Sequence, residues 1–324
     1  MTPATSTDSH STTPPSSLGW SHLPAAYAIP ASAPSLEEAR EYCRRLARSH
    51  YENFSVASWF LPKRLRQHFF NVYAYCRISD DLGDEVGDAA ASLELLDQWE
   101  QELNACYNGN PRHPVFVALA ETVKQFDIPQ HEFSDLLCAF RQDQTITRFE
   151  TFDDVLAYCR YSANPVGRLV LALCGYQDAE RQALSDATCT ALQLANHWQD
   201  VTVDLPKDRV YLPLDVMERH GYPVEALLAR RFDDRFKAAM RDAVEVARGL
   251  FLKGLPLAGM VDRRLAIDLE LFSRGGLKIL EKIERQDYNV LEARPAISKL
   301  ERVGLLLGAI TRRAFARNDS AAAV

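Results

Sequence analysis

Apolar residues recur every three to four positions through most of the chain, which is the period of an α-helix rather than of a strand. The clearest case is a segment in which Leu65, Phe69, Val72 and Cys76 share one face of a predicted helix. Alternating β-branched runs and Asn-Gly turns between apolar strands are almost absent. The sequence therefore predicts an all-α fold in which many helices pack around a common core.

A chain of 324 residues with 47% hydrophobic content is long enough for one large domain or two modest ones. No interior linker is visible, so we predict a single domain. Ser35 followed by Glu38 is the pattern of a capping box that opens the first helix. We predict a disordered Ser/Thr/Pro-rich tail over 1–34, an all-α domain over 35–316 and a disordered tail over 317–324.

The charge and cysteine content exclude several classes of protein. A formal net charge of −7 without a Lys/Arg-rich run argues against nucleic acid as a partner. Seven cysteines without CxxC or Cys/His ligand spacing are typical of buried thiols in a reducing compartment. No apolar run approaches the roughly 17–25 residues that span a bilayer, and the amino terminus lacks a signal pattern. We therefore expect a cytoplasmic protein.

Two carboxylates lie together at the end of the helix that contains Phe69. Asp80 and Asp84 are four residues apart and share a face, where they repel each other by about 0.2–0.5 kcal/mol. The helix macrodipole also disfavours negative charge at a carboxyl end. A cation such as Mg²⁺ would compensate them, because it binds through one or two carboxylates and completes its shell with phosphate and water. The alternative is a solvated acidic helix end.

A second acidic run lies far along the chain. Asn196, Asp200 and Asp204 step by four residues, which places an oxygen ladder about 12 Å long on one helix face. The alternative for this run, taken alone, is a row of polar side chains on a helix face that is exposed to solvent. Two such faces in an otherwise apolar helical chain predict that several Mg²⁺ ions hold a diphosphate between them and promote loss of that group.

One predicted helix, over 152–176, is apolar around most of its circumference and is therefore expected to be buried. Asn164 and Pro165 lie in its middle, and Pro165 should kink it. Such a kink either lines a cavity or serves packing alone.

The two acidic runs occur within longer motifs. Tyr73, Arg77 and DDLGD at 80–84, followed by NHWQDVTVD at 196–204 and DRVYLP at 208–213, resemble the squalene/phytoene synthase family. The resemblance extends over about 36–315. It implies a single-domain helical bundle of the class I isoprenoid synthase type with a central apolar cavity, a prenyl diphosphate substrate and Mg²⁺ as cofactor. The all-α domain would then be a prenyl synthase domain.

Within this family, two segments are most similar to the bacterial hydroxysqualene synthases. Glu52-Asn53-Phe54 stands where phytoene synthases usually read Ser-Phe, and the segment from Tyr158 to Gly167 contains Ser-Ala-Asn where they usually read Val-Ala-Gly. The similarity implies conversion of presqualene diphosphate to hydroxysqualene with water and without NADPH, in squalene and hopanoid biosynthesis. The alternatives are a synthase that condenses two prenyl diphosphates and a non-catalytic relative that acts in binding or assembly.

The resemblance also assigns roles residue by residue. The Mg²⁺ ligands would be Asp80, Asp84, Asn196, Asp200 and Asp204. Substrate contacts would come from Arg77, Arg209 and Phe54. Catalytic positions facing the reacting carbons would be Tyr73, Tyr158, Asn53, Asn164 and Gln193. Plainer alternatives stay open: charge balance for Arg77, core packing for the tyrosines, a helix boundary for Asn164. His197 is interpreted as a satisfied structural histidine.

The expected partners follow from this substrate class. A long isoprenoid crosses water poorly, so transient contact with a membrane and with neighbouring enzymes of the squalene pathway is expected. Leu305 to Leu307 and the arginines around them form a candidate surface for peripheral membrane contact, and a buried last helix is an equal alternative.

Overall fold

The structure is a computed structural model, and it describes residues 23–49 and 62–309. Helix α1 (Leu36–Ser49) begins at the predicted capping box, where the Ser35 hydroxyl donates to the Glu38 carboxylate at 2.7 Å. Helix α2 (Arg66–Asp84) carries the first acidic motif. We expected Pro62 in the first turn of α2, but Pro62 lies in the preceding turn and accepts a bond from the Leu65 amide at 2.9 Å.

The rest of the described chain is also helical. The next six helices are α3 (Ala89–Tyr107), α4 (Pro114–Phe126), α5 (His131–Gln142), α6 (Phe152–Ser162), α7 (Asn164–Leu173) and α8 (Ala179–Gln199). They are followed by α9 (Val201–Asp204), α10 (Leu214–Arg219), α11 (Val224–Leu228), α12 (Asp234–Gly254), α13 (Arg263–Arg285) and α14 over 299–309. The one β-pairing among these residues is an isolated bridge between Arg148 and Val210. The all-α prediction is confirmed.

Two large apolar clusters hold these helices together. In the first, built by α1 to α5, the Trp99 ring lies 4.5 Å from that of Phe116, and both side chains are fully buried. The second surrounds α8, which packs mainly against α12, and it includes Trp198 and Phe251. Complete burial of such a side chain stabilises the fold by roughly 1.5–3 kcal/mol. The candidate site lies between these clusters.

The predicted kink at Pro165 is a complete break between two helices. Helix α6 ends at Ser162, Ala163 has a φ of −120°, and α7 begins at Asn164 with Pro165 in its first turn. Proline has no N–H to donate and its ring clashes with the carbonyl four residues earlier, so the hydrogen-bond ladder of α6 cannot continue through Pro165. A Cβ on Gly167 would lie 2.4 Å from the Ser185 hydroxyl, so glycine permits the close approach of α7 to α8.

The second acidic run also departs from a continuous helix. We expected one helix from 179 to about 205, but α8 ends at Gln199, and Asp200 has φ −102° and ψ 13°. The short helix α9 and a 3-10 helix, Leu205–Lys207, follow. Pro206 in that last turn cannot donate to an α-helical ladder.

The predicted disordered tail over 1–34 is wrong for the part that the structure describes. Ala25–Tyr27 forms a 3-10 helix, and Tyr27 is only 4% exposed. Its hydroxyl donates to the buried Asp81 carboxylate at 2.7 Å. The segment is rich in Ser and Pro, which predicts disorder. Tyr27 gave no opposing signal, because a single buried tyrosine forms no periodic pattern. Residues 1–22 and the tail over 317–324 lie outside the described residues.

Removing this anchor should destabilise the fold measurably. Tyr27→Phe deletes a hydrogen bond to a buried carboxylate, and we expect the free energy of unfolding to fall by about 1–3 kcal/mol. Tyr42→Phe is the matched control, because the Tyr42 hydroxyl bonds the Ala26 carbonyl of the same segment at the surface. Urea unfolding curves measure both variants, and an equal or larger loss for Tyr42→Phe would contradict the assignment.

The last helix is partly covered. Leu305 and Leu306 are half-buried, whereas Leu300 and Leu307 are 85% and 58% exposed. This helix is therefore neither fully buried nor fully exposed. Its contact with a membrane surface stays a prediction. No helix in the described ranges combines the length and the apolar character needed to cross a bilayer. All seven cysteines are free thiols, and the prediction that they are buried holds for Cys43, Cys106 and Cys159, whereas the other four are half-buried.

Candidate active site

A cavity of about 290 Å³ lies between the two apolar clusters. It brings together the carboxyl end of α2, the end of α5, the face of α6 and the segment from α8 to Tyr211. Its lining residues are Asp80, Asp84, Phe140, Asp143, Tyr158, Ser162, Gln193, Asn196, His197, Asp200, Asp204, Arg209 and Tyr211. All five predicted metal ligands are among them, together with three other predicted site residues, Tyr158, Gln193 and Arg209.

Nearby positive charges neutralise Asp84 more completely than Asp80. Asp84 accepts a hydrogen bond from Arg209 at 3.0 Å and pairs with Lys207 at 3.3 Å. Burial tends to raise the pKa of Asp84, yet these two cations lower it below its ordinary value. For Asp80, burial and repulsion from Asp84 raise the pKa to about 6 despite the nearby Arg77. The pair therefore presents one neutralised and one poorly compensated carboxylate.

The second acidic run faces the same space. Asp200 is bound by both Nε and Nη2 of Arg294, the latter at 3.2 Å. Burial and repulsion from Asp200 raise the pKa of Asp204 to about 6. Asn196, Asp200 and Asp204 all line the cavity, although the break at Asp200 separates α8 from the short helix α9.

Arg77 and Tyr73 lie behind this surface. Arg77 Nε donates to Asp81 at 3.1 Å and its Nη1 lies 3.4 Å from Asp80, so it balances both carboxylates. Asp81 is buried and accepts a hydrogen bond from the Tyr27 hydroxyl. Tyr73 is half-buried one turn before Arg77. Neither Arg77 nor Tyr73 lines the cavity within the described chain, and their proposed contacts with substrate stay predictions.

Asp143 is the cavity carboxylate that sequence reasoning missed. It follows α5 directly, and the Tyr158 hydroxyl donates to it at 3.2 Å. Burial raises the pKa of Asp143 to about 6, and Arg209 opposes that shift. An isolated aspartate after a helix end forms no spacing pattern. Only the approach of α6 to α5 shows that it belongs to this site.

The raised pKa of Asp143 predicts a pH-dependent gain from its removal. Above pH 6 the folded protein must ionise a carboxyl that the unfolded chain ionises near 4, which costs stability, whereas at about pH 3 both states are mostly protonated. Asp143→Asn should therefore stabilise the ligand-free protein at pH 7.5 by roughly 1–3 kcal/mol, with a vanishing gain near pH 3. Unfolding curves at both values measure this difference, and a destabilised variant at pH 7.5 would contradict it.

His197 lies in the cavity wall rather than in a satisfied structural setting. It is 6% exposed, its ring stacks on Tyr211 at 3.6 Å, and burial lowers its pKa to about 3. Its Nε2 atom is buried without a hydrogen-bond partner among the described residues. The interpretation as a satisfied histidine is therefore wrong, because the neighbouring helices present ring faces to it and no polar partner to this nitrogen.

The remaining predicted residues are placed elsewhere or lie outside the described chain. Asn164 is 5% exposed and accepts a hydrogen bond from the Thr190 hydroxyl at 2.9 Å, which joins α7 to α8 behind the cavity lining. This contact fits the helix-boundary alternative for Asn164. Asn53 and Phe54 fall in the segment 50–61, outside the described residues.

The donor set fits Mg²⁺ that is shared with a phosphate ligand. Hard oxygen donors from α2, α8 and α9 line one cavity, and two of the carboxylates, Asp80 and Asp204, are poorly compensated. Among the described residues, no three acidic, histidine or cysteine side chains converge to hold an ion by themselves. Mg²⁺ commonly uses one or two carboxylates and takes its other ligands from phosphate and water.

Comparison with known proteins shows which family this chain belongs to. The family model for squalene/phytoene synthase matches residues 47–301. Hydroxysqualene synthase from Rhodopseudomonas palustris is 34% identical, covering 82% of this chain and 91% of its own. Phytoene synthase from Thermus thermophilus is 33% identical, covering 84% and 92%. The crystal structure of squalene synthase HpnC from Alicyclobacillus acidocaldarius superposes with a TM-score of 0.76 at 47% identity, covering 78% and 96%. The chain belongs to the squalene/phytoene synthase family.

Proposed function

We propose that this protein converts presqualene diphosphate and water into hydroxysqualene and diphosphate. The observation that carries the proposal is the single cavity in which carboxylates of α2 face those that follow α8, with Arg209 between them. A site of this kind binds a diphosphate through bridging cations and a guanidinium fork.

Each group has a defined task in this proposal. Asp80, Asp84, Asn196, Asp200 and Asp204 would hold Mg²⁺, which supplies positive charge to the leaving diphosphate when it is bound. Arg209 is only 16% exposed, and its charge is retained because the bond to Asp84 outweighs the effect of burial on its pKa. It can transfer its hydrogen bonds from Asp84 to phosphate oxygens.

The chemistry balances without a reductant. The bond between the cyclopropylcarbinyl carbon and the diphosphate oxygen breaks, and its electron pair leaves with diphosphate. The cation rearranges, a water oxygen forms the new C–O bond, and the released diphosphate takes the proton. No hydride is consumed, so NADPH is not expected. Tyr158 and Tyr211 offer aromatic surfaces toward the cavity, which suit a neighbouring cation.

The choice of reaction rests on similarity. The Rhodopseudomonas relative named hydroxysqualene synthase supports water capture. The 47% identity with the squalene synthase structure supports a product of the squalene series rather than phytoene. The relative from Thermus, named phytoene synthase, supports a second candidate, the condensation of two prenyl diphosphates. The two reactions share the diphosphate site and differ in the substrate that fills the rest of the cavity.

Product analysis tests the proposal directly. Purified protein is incubated with presqualene diphosphate and Mg²⁺ without nucleotide, and in parallel with farnesyl or geranylgeranyl diphosphate. We expect hydroxysqualene and diphosphate in equal amounts from the first substrate, with the hydroxyl oxygen labelled in H₂¹⁸O. Chelation with EDTA should abolish both products. Unchanged presqualene diphosphate, or squalene formed only when NADPH is added, would overturn the proposal, and condensation of the smaller substrates would establish the second candidate.

A further inference from the structure

Two buried polar atoms of the cavity wall have no hydrogen-bond partner. Nine buried side-chain nitrogen or oxygen atoms lack a partner among the described residues, and two of them, Ser162 Oγ and His197 Nε2, belong to residues that line this cavity. Leaving a buried polar atom unpaired costs about 1–3 kcal/mol. Two such atoms at one cavity indicate that something polar occupies it in the working enzyme.

The backbone brings these two atoms to one cavity from different helices. Ser162 is the last residue of α6, one turn after Tyr158, and His197 lies near the end of α8, one turn after Gln193. The rings of Tyr158 and His197 are 6.2 Å apart, so the two helix faces meet there. All four side chains line the cavity.

These two atoms take no part in the ion pairs of the acidic residues. His197 precedes Asp200 by three residues, which is about 4.5 Å along a helix axis. The cations at the cavity bond the carboxylates: Arg209 and Lys207 bond Asp84, and Arg294 bonds Asp200. The unpaired hydroxyl and imidazole are therefore separate from the charged contacts that would hold a diphosphate.

We propose that Ser162 Oγ and His197 Nε2 bind the water molecule that captures the carbocation. This inference rests on the proposed function, since only a water-capturing reaction needs an ordered nucleophile. A water molecule satisfies both atoms whichever tautomer the imidazole adopts, because water donates and accepts equally well. Because the serine hydroxyl can accept as well as donate, the water needs to accept at most one of these two hydrogen bonds, and at least one lone pair of its oxygen stays free to react.

The step needs no further reactant. The lone pair of the bound water forms the C–O bond to the cationic carbon, and the oxonium proton passes to the released diphosphate. Without the bound water, the same cation loses a proton to give a hydrocarbon, or it is captured at another carbon to give an isomeric alcohol. Ser162 and His197 therefore determine the product, whereas the carboxylates and Arg209 determine how fast diphosphate leaves.

Product partitioning tests this division of labour. Ser162→Ala and His197→Phe each remove one water-binding atom, and phenylalanine keeps the stacking on Tyr211. For each variant we measure the diphosphate released and the hydroxysqualene formed from presqualene diphosphate. We expect the yield of hydroxysqualene per diphosphate to fall about tenfold, the effect of losing one buried hydrogen bond. Isomeric alcohols and hydrocarbons should make up the difference, and diphosphate release should change less than the product ratio.

His113→Phe is the matched control, because His113 is also fully buried but lies away from the cavity, packed against Trp99 in the first apolar cluster. The His113→Phe variant should be less stable than wild type, and it should still form one hydroxysqualene for each diphosphate released. If His197→Phe does not fold, Ser162→Ala and His197→Leu provide the same measurement, because leucine also lacks a polar atom at this place. A product ratio of one in folded Ser162 and His197 variants would overturn the inference and leave the proposed function intact. Wild-type protein that forms no hydroxysqualene would overturn the proposed function itself.

Discussion

Asp80→Asn and Asp204→Asn are each expected to lower kcat/KM for diphosphate release by about 10²- to 10³-fold, the loss that follows removal of one strong electrostatic contact to a developing anion. Both carboxyls have pKa values raised to about 6 by burial and by a neighbouring aspartate. Asparagine preserves shape and removes the charge that would attract Mg²⁺. The Mg²⁺ concentration for half-maximal rate should rise in both variants, and initial rates over a range of Mg²⁺ measure it.

Glu85→Gln is the control for this experiment. Glu85 directly follows Asp84 and is exposed, so its replacement removes the same charge from the same region without touching the cavity lining. Its kcat/KM should stay within a few-fold of wild type, as expected for a surface charge. Equal losses in all three variants would show that the acidic residues act through general surface potential rather than as ligands.

Arg209→Gln is expected to lower kcat/KM by a similar factor of about 10², because it removes a mostly buried fork that can bond the leaving group. It also removes the hydrogen bond that lowers the pKa of Asp84, which should then rise. Arg209→Lys should recover only part of the activity, since an ammonium is a point charge without the planar fork. Steady-state kinetics and inhibition by free diphosphate measure both effects.

Lys207→Gln provides the comparison for Arg209. Lys207 pairs with the same Asp84 carboxylate, but its side chain is 53% exposed, compared with 16% for Arg209. Solvent screening makes such an exposed pair worth little. We expect a change of only a few-fold, and a loss as large as that of Arg209→Gln would contradict the role assigned to the buried arginine.

The helices were predictable because their signals are local. The capping boxes at Ser35 and Thr151 are seen as hydrogen bonds to Glu38 and Asp154. Pro114 occupies the first position of α4, where the fixed φ of proline suits a helix. The helix ends were less predictable than the helices themselves. The expected kink at Pro165 is a full break between α6 and α7, and α8 ends at Gln199 rather than near 205.

The candidate site divides in the same way. Spacing by four placed Asp80 with Asp84 and Asn196 with Asp200, and the structure places all of them on one cavity. Asp143 follows no such spacing, and the step of four from Tyr158 to Ser162 repeats no carboxylate, so the membership of both residues depends on how α5 and α6 approach each other. Tyr27 likewise reaches Asp81 across 54 residues of sequence. No local pattern anticipates a contact of that range.

The sequence by itself determined that the chain is all-α, which faces carry its carboxylates and which family its motifs resemble, because helical period and residue chemistry are properties of neighbours in the chain. Only the tertiary structure decided which of these carboxylates are paired with cations and which buried polar atoms have no partner. It pairs Arg209 with Asp84 and Arg294 with Asp200, and it leaves Ser162 and His197 unpaired. These outcomes depend on packing between distant helices, since hydrogen bonding and desolvation act over a few ångströms in space regardless of separation along the chain.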